Sequence, residues 1–111
     1  SRPFAVLRDA YRTRLTETGA TAGRFAPPPR PAPAGPAAWQ GDVLVTWRGA
    51  VTGLVGRIPG WSEAALDRYR LPHPLLGKLT VREMLFFTLY HNAHHLDLVA
   101  GRRGAGPVPG V

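Results

Sequence analysis

The sequence contains no cysteine, and it has a single lysine among its 111 residues. Without cysteine the chain can form neither disulfides nor thiolate metal sites, so a metal ion would need imidazole, carboxylate or water ligands. No stretch approaches the roughly 18 apolar residues that a membrane-spanning helix requires. The first apolar run is short and is interrupted by Arg8 and Asp9, which is unlike a signal peptide. We therefore expect a cytoplasmic protein without a membrane partner.

Acidic residues are also scarce, since 7 Asp and Glu face 14 Lys and Arg, for a net charge of +7. Arginine, alanine, glycine and proline are all abundant, a bias that a GC-rich genome produces without selection for a polyanionic partner. No block of basic residues with interleaved aromatic side chains accompanies the charge. We expect non-specific attraction to polyanions and no specific nucleic-acid partner.

The composition, with 44% apolar and 19% charged residues, is typical of a globular protein, and we predict one helical domain over residues 1–103. An amphipathic helix is predicted over residues 2–18, because apolar residues recur there at three- and four-residue spacing, namely Phe4, Leu7, Tyr11 and Leu15. Six of the twelve prolines lie in residues 19–38, which predicts a proline-rich linker between helices. Glycine and proline alternate in residues 104–111, which we predict to be a flexible tail.

Two interpretations fit residues 40–58. Apolar residues recur over about four helical turns, whereas residues 43–47 also have the composition of a β-strand. We favour a helix because the period persists through the segment, although Gly49, Gly53 and Gly56 lower its helix propensity. A short helix is predicted over residues 62–69, with Ser62 as its N-cap.

The clearest local signal lies at the start of the last predicted helix. The segment before it, residues 71–80, is predicted to be a turn without regular structure, since it contains Pro72, Pro74 and Gly77. Thr80 and Glu83 then have the spacing of a capping box, in which Thr80 caps the helix and Glu83 reaches back to the Thr80 amide. We predict a helix from residue 81 to about residue 100.

Two histidines, His91 and His95, lie four residues apart on this predicted helix, so their rings share one face on neighbouring turns. The helix is apolar around most of its circumference, which predicts a central position in a bundle. Two neighbouring buried imidazoles would repel one another when protonated, and each would need partners when neutral. A divalent ion resolves this, because neutral imidazole is a good ligand for zinc, nickel or iron. The alternative is a pair of histidines that bond to backbone or water.

Other side chains near the pair are assigned by their position on the helical wheel. Three apolar residues share the histidine face and are candidates for a substrate pocket, namely Met84, Phe87 and Leu98. The opposite side is a polar arc, which consists of Arg82, Glu83, Tyr90 and Asp97. His94 falls at the edge of that arc, so we predict a surface position, or a role behind the ligands or in the pocket. Two protein ligands do not complete a zinc site, and His73 could add a third only if its turn folds back.

The residues from His73 to Glu83, together with the run His91-Asn92-Ala93-His94-His95, resemble the DinB-like superfamily. The resemblance implies an all-α fold, a four-helix bundle with up-down-down-up connections. It also implies a metal site of three histidines, one from the second helix and two, four residues apart, from the last. His91 and His95 match the last-helix pair. The family includes metal-dependent hydrolases and thiol-dependent transferases that use bacillithiol or mycothiol.

The chain departs from the family pattern in two respects. Leu98 stands where many members have glutamine, which makes the expected pocket more apolar. Family members are also longer, so the resemblance implies that the first helix and part of the second, with the third histidine, are lacking here. Residues 2–18 would then correspond to the tail of the second helix.

Two functions follow as hypotheses. The resemblance implies a metal-dependent hydrolase or thiol transferase that acts on a small electrophilic substrate, with the ion held by His91 and His95. The alternative is a non-catalytic helical bundle with a vestigial metal site, which self-associates as a homodimer because its apolar last helix needs a covering partner. The sequence identifies no catalytic residue and leaves open whether the chain is an enzyme. We expect neither serine-nucleophile nor phosphate-loop chemistry, since both motifs are missing.

Overall fold

The computed structural model describes residues 1–18, 28 and 35–102. These residues form four α-helices, a short 3-10 helix (Ile58–Gly60) and one antiparallel pair of strands. The order of the α-helices and strands is α1 (Phe4–Thr18), α2 (Pro36–Arg57), α3 (Glu63–Arg68), β1 (Arg70–His73), β2 (Gly77–Thr80) and α4 (Val81–Arg102). The all-α prediction is therefore confirmed apart from the small sheet. The predicted tail at 104–111 and most of the predicted linker at 19–38 lie outside the described residues. No described helix has the length and apolar character needed to cross a membrane.

The chain divides into two compact units. The first, Ser1–Thr21 with Glu63–Val111, contains α1, α3, the strands and α4, and the second, Ala22–Ser62, contains α2. The second unit confirms the helix interpretation of residues 40–58, and the strand alternative is wrong. Its helix already begins at Pro36, inside the predicted linker, because proline suits the first helical turn, where its missing amide costs nothing. Its large exposed side chains are Trp39, Val43, Leu44, Val45, Trp47, Leu54 and Val55.

In the first unit, α1 packs against α4 through aromatic side chains. The predicted apolar stripe of α1 places Leu7 and Tyr11 in the core, where both are almost fully buried. The rings of Phe4 and Phe86 meet edge to face with centroids 5.8 Å apart. Such pairs favour this geometry because the positive edge of one ring faces the negative face of the other. The packing fixes the side of α4 that α1 covers.

The segment at residues 71–80 is a β-hairpin, so the prediction of an irregular turn is wrong. Arg70 pairs with Thr80, and His73 pairs with Gly77. Proline is tolerated because a two-stranded sheet consists only of edge strands, where an amide donor is not needed at every position. Gly77 closes the loop with φ of +74°, a left-handed conformation that glycine adopts without a steric penalty.

The capping box is confirmed at the start of α4. The Glu83 amide donates to Thr80 Oγ1 over 3.1 Å, and the Thr80 amide donates to Glu83 Oε2 over 2.9 Å. Arg2 adds two further donors to Glu83 Oε1, its backbone amide at 2.9 Å and its Nε at 2.8 Å. Burial acts to raise the pKa of Glu83, but these hydrogen bonds outweigh it and lower the pKa to about 2. The carboxylate thus anchors α4 to the hairpin and to the segment before α1.

Candidate metal centre

The two predicted ligands face one another on α4. His91 Nε2 lies 3.0 Å from His95 Nε2, and the two ring planes are inclined at 85°. His91 is half-buried, whereas His95 is exposed. The spacing of four residues therefore brings the two rings to a common point, as expected, but at the edge of the first unit rather than in its interior.

The separation of the two nitrogens is compatible with one shared metal ion. Two imidazole nitrogens bound at about 2.0–2.1 Å to one tetrahedral zinc ion lie about 3.3–3.4 Å apart. The observed Nε2–Nε2 distance of 3.0 Å is shorter, so the two nitrogens would need to separate by about 0.3–0.4 Å to share an ion. The pair therefore fits two positions of a coordination sphere.

His91 is supported from α1 by Tyr11. The Tyr11 hydroxyl lies 3.0 Å from His91 Nδ1, the ring nitrogen that faces away from His95. The tyrosine is only 4% exposed, and its ring packs edge to face on Phe87 with centroids 5.0 Å apart. Burial raises the pKa of the Tyr11 phenol, and the neighbouring Tyr90 adds to that shift. A neutral hydroxyl therefore contacts the histidine.

The surroundings of His91 and His94 favour the neutral form of both rings. The pKa of His91 is lowered by burial first, and then by the charges of His95, His94 and His73. The pKa of His94 is lowered by burial and by His95, against the opposing influence of Asp97. Neutral imidazole is the form that binds metal ions, so the surroundings favour a ligand role at neutral pH.

His73 does not act as the third ligand in this arrangement. Its Nδ1 accepts hydrogen bonds from the backbone amides of Leu75, at 3.2 Å, and Leu76, at 3.1 Å. A neutral ring that accepts at Nδ1 carries its proton on Nε2, so neither nitrogen offers a lone pair to an ion. Within residues 1–18 and 35–102, no group of three His, Asp or Glu side chains is placed to hold a metal ion.

The predicted pocket residues lie in different surroundings. Phe87 is half-buried, and its ring centroid lies 4.2 Å from that of His73 and 5.0 Å from that of His91. Met84 and His94 are half-buried too, and the His94 ring lies 5.5 Å from the His95 ring. Leu98 is exposed. Phe87 and His94 are thus next to the pair.

The predicted orientation of α4 is wrong in one respect. Two members of its polar arc, Glu83 and Tyr90, are buried, whereas apolar side chains elsewhere on the helix are exposed, namely Leu89, Leu96, Leu98 and Val99. The polar groups are tolerated inside because they have partners: Arg12 Nε donates to the Tyr90 hydroxyl over 3.0 Å. A helical wheel of α4 cannot reveal such a partner, since it contains only residues of that helix and Arg12 belongs to α1.

The hydrogen bond between Tyr11 and His91 is not predicted from the sequence. The periodicity of α1 places Tyr11 on its apolar stripe and predicts no role for the hydroxyl. The available signal was a hydroxyl-bearing residue at a core position, because buried tyrosines usually find a hydrogen-bond partner. The identity of that partner depends on the packing of two helices separated by some 80 positions in the chain.

A family model of the DinB superfamily matches residues 5–99. The chain belongs to the DinB superfamily. The match includes α1, the hairpin and the part of α4 that carries both histidines, so the resemblance noted in residues 73–95 extends through most of this superfamily member. No curated protein and no solved structure matches the chain.

Proposed function

We propose that this DinB superfamily protein binds a divalent metal ion through His91 and His95 and uses it in hydrolysis or thiol transfer on a small electrophilic substrate. The observation that carries the proposal is the approach of the two Nε2 atoms to 3.0 Å. The lowered pKa of His91, caused mainly by burial, keeps that ring available as a neutral ligand.

An ion at this position would contribute Lewis acidity, which polarises a carbonyl or makes a water or thiol a stronger nucleophile at neutral pH. The chain itself orients the ligands. Tyr11 and Phe87 fix the His91 ring, while the exposed His95 leaves one side of the pair open to substrate. His94 lies close enough to contact a substrate that approaches from that side. Two protein ligands leave further positions for water and substrate.

Metal analysis tests the binding part of the proposal. The purified protein is loaded with zinc, desalted and assayed for bound metal, beside His91→Ala and His95→Ala. We expect near-stoichiometric zinc in the wild type and little in either variant. His73→Asn is the matched control, because it removes a histidine whose Nδ1 already accepts hydrogen bonds from two backbone amides. Equal zinc in all four proteins would refute the ligand assignment.

A separate assay tests the catalytic part. The zinc-loaded protein is incubated with a panel of activated esters and alkyl or aryl halides, with and without a low-molecular-weight thiol. Turnover that requires the thiol would indicate transfer, and turnover without it would indicate hydrolysis. Absence of both, in a protein that retains zinc, would contradict catalysis and leave metal binding intact.

We also propose, as a second function, self-association as a homodimer. On the side of α4 away from α1, Leu89 is 62% exposed, Leu96 56% and Val99 46%. Their spacings of seven and three residues place them on one helical face, and contiguous apolar surface of this kind is typical of interfaces. Light scattering over a range of concentrations tests the idea. A monomer at every concentration would refute it.

A further inference from the structure

Metal binding by His91 requires a particular tautomer of its ring. Its Nε2 faces His95, so this nitrogen must offer a lone pair to an ion, and the proton of the neutral ring must lie on Nδ1. A proton on Nδ1 needs an acceptor, because a buried donor without a partner is costly. The Tyr11 hydroxyl oxygen, 3.0 Å from Nδ1, is such an acceptor.

We propose that Tyr11 is the positioning residue that holds His91 in its Nδ1–H tautomer. Its hydroxyl oxygen accepts the Nδ1 proton and thereby directs the Nε2 lone pair toward His95 and the ion. The inference rests on the proposed metal site for its functional meaning, but the tautomer is a property of the protein before any metal is added. The same tautomer allows His95 Nε2–H to donate to His91 Nε2 across the observed 3.0 Å.

The position of the Tyr11 hydroxyl is fixed by packing. The residue is 4% exposed, and its ring meets those of Phe87, Tyr90 and His94 edge to face, at centroid distances of 5.0, 5.4 and 6.4 Å. These three contacts with one face of α4 restrict movement of the ring. Groups that orient a ligand from behind usually change metal affinity by about 10–100-fold when they are removed.

His73 shows the opposite arrangement in the same unit. Two backbone amides donate to its Nδ1, which forces the proton onto Nε2 and removes that nitrogen as a ligand. His91 would have the same tautomer if the Tyr11 hydroxyl donated instead of accepting. The direction of one hydrogen bond therefore decides whether His91 can bind an ion through Nε2.

The tautomer can be measured directly in the metal-free protein. Histidine-labelled protein is examined by ¹⁵N–¹H correlation NMR at a pH where the rings are neutral. We expect His91 to show a protonated, pyrrole-type Nδ1 and an unprotonated, pyridine-type Nε2. A wild-type His91 with its proton on Nε2 would overturn the proposal, and this result needs no variant to fold.

Two matched variants connect the tautomer to the hydroxyl. Tyr11→Phe keeps the buried ring, so we expect the fold to persist and His91 to shift toward the Nε2–H form that a free histidine side chain prefers. Tyr90→Phe is the control, because it removes a neighbouring buried hydroxyl that accepts from Arg12. It should leave the His91 spectrum unchanged. An unchanged tautomer in Tyr11→Phe would overturn the proposal.

Zinc titration then measures the consequence. We expect Tyr11→Phe to weaken zinc binding by about 10–100-fold, and Tyr90→Phe to stay within about twofold of the wild type. Equal affinity in Tyr11→Phe and the wild type would overturn the positioning role. If the wild type binds no zinc, the proposed function fails, whereas the NMR spectrum of the metal-free protein still decides the tautomer.

Discussion

The start of α4 and its middle use polar side chains in opposite ways. At the start, each oxygen of Glu83 accepts hydrogen bonds, from Arg2 on one side and from the Thr80 amide on the other. In the middle, His91 and His95 direct two ring nitrogens at each other near solvent. A buried group whose partners are all internal stabilises the fold, whereas a pair of facing imidazole nitrogens near solvent is suited to an external ligand. The first region therefore has a structural role, and the proposed metal binding depends on the second.

The largest expected effect is the loss of zinc affinity when either histidine in the middle of α4 is removed. His91→Ala and His95→Ala should each weaken zinc binding by about 1,000-fold, roughly 4 kcal/mol, because a single imidazole loses the chelate. The double variant should be little worse than either single one, since both rings act on one ion. Isothermal titration calorimetry with zinc measures all three. Additive losses would indicate two separate weak sites.

The next largest expected effect is a loss of stability when Glu83 at the start of α4 is replaced. Glu83→Ala should destabilise the protein by about 3 kcal/mol, because it leaves the buried Thr80 amide and the partly buried donors of Arg2 without their acceptor. Glu83→Gln keeps the shape and should lose about half as much. Urea unfolding measures both values. Zinc affinity of the folded variants should stay near that of the wild type.

This contribution should also depend on pH. Because the pKa of Glu83 falls from 4.5 to about 2 on folding, the unfolded chain binds more protons in that interval. The stabilisation is therefore fully present above about pH 4.5 and is lost as the pH falls toward about 2. The stability difference between wild type and Glu83→Gln should shrink over the same range. A difference that is constant from neutral to acidic pH would contradict the network.

A smaller loss of stability is expected when His73 is replaced, which distinguishes this structural histidine from the two proposed metal ligands. His73→Ala should cost about 2 kcal/mol, because two hairpin amides lose their acceptor and Phe87 loses a ring contact. His73→Asn should recover part of this, since its side-chain oxygen can accept from the same amides. Thermal unfolding compares the two variants. A large loss of zinc affinity in folded His73→Asn would make His73 a ligand and contradict the tautomer assigned to it.

The smallest effect concerns the exposed side of α4. Leu96→Gln should change monomer stability by less than about 0.5 kcal/mol, because the side chain is 56% exposed. It should nevertheless weaken a homodimer formed through this face, which sedimentation velocity can measure. Leu98→Gln is the matched control, because it makes the same substitution at a leucine that is 46% exposed on the histidine side of α4. Equal association in both variants would contradict this interface.

Local patterns were sufficient to predict the helices and the capping box. The periodicity of α1 and the Thr80–Glu83 spacing depend on residues within one or two turns, so a single sequence contains them. The hairpin was missed because its prolines oppose central strands, yet they are compatible with a sheet that has only edges. Proline is compatible both with an irregular turn and with an edge strand, and the neighbouring sequence does not distinguish these two structures.

The site was predictable only in part. The spacing of His91 and His95 predicted their convergence, because four residues make about one helical turn. The roles of Tyr11 and His73 depend on tertiary contacts and on amides that a turn directs inward. The burial of Glu83 and Tyr90 likewise depends on arginines in another part of the chain. Sequence spacing thus predicts which residues meet within one helix, whereas hydrogen-bond partners on different helices or strands can be identified only from the folded structure.

X-ray absorption spectroscopy of the zinc-loaded protein tests the central claim most directly, because it counts the imidazole rings bound to the ion. Two imidazoles should be found in the wild type and one or none in His95→Ala. A wild-type spectrum without imidazole, or one that neither His91→Ala nor His95→Ala alters, would contradict a shared metal site on α4.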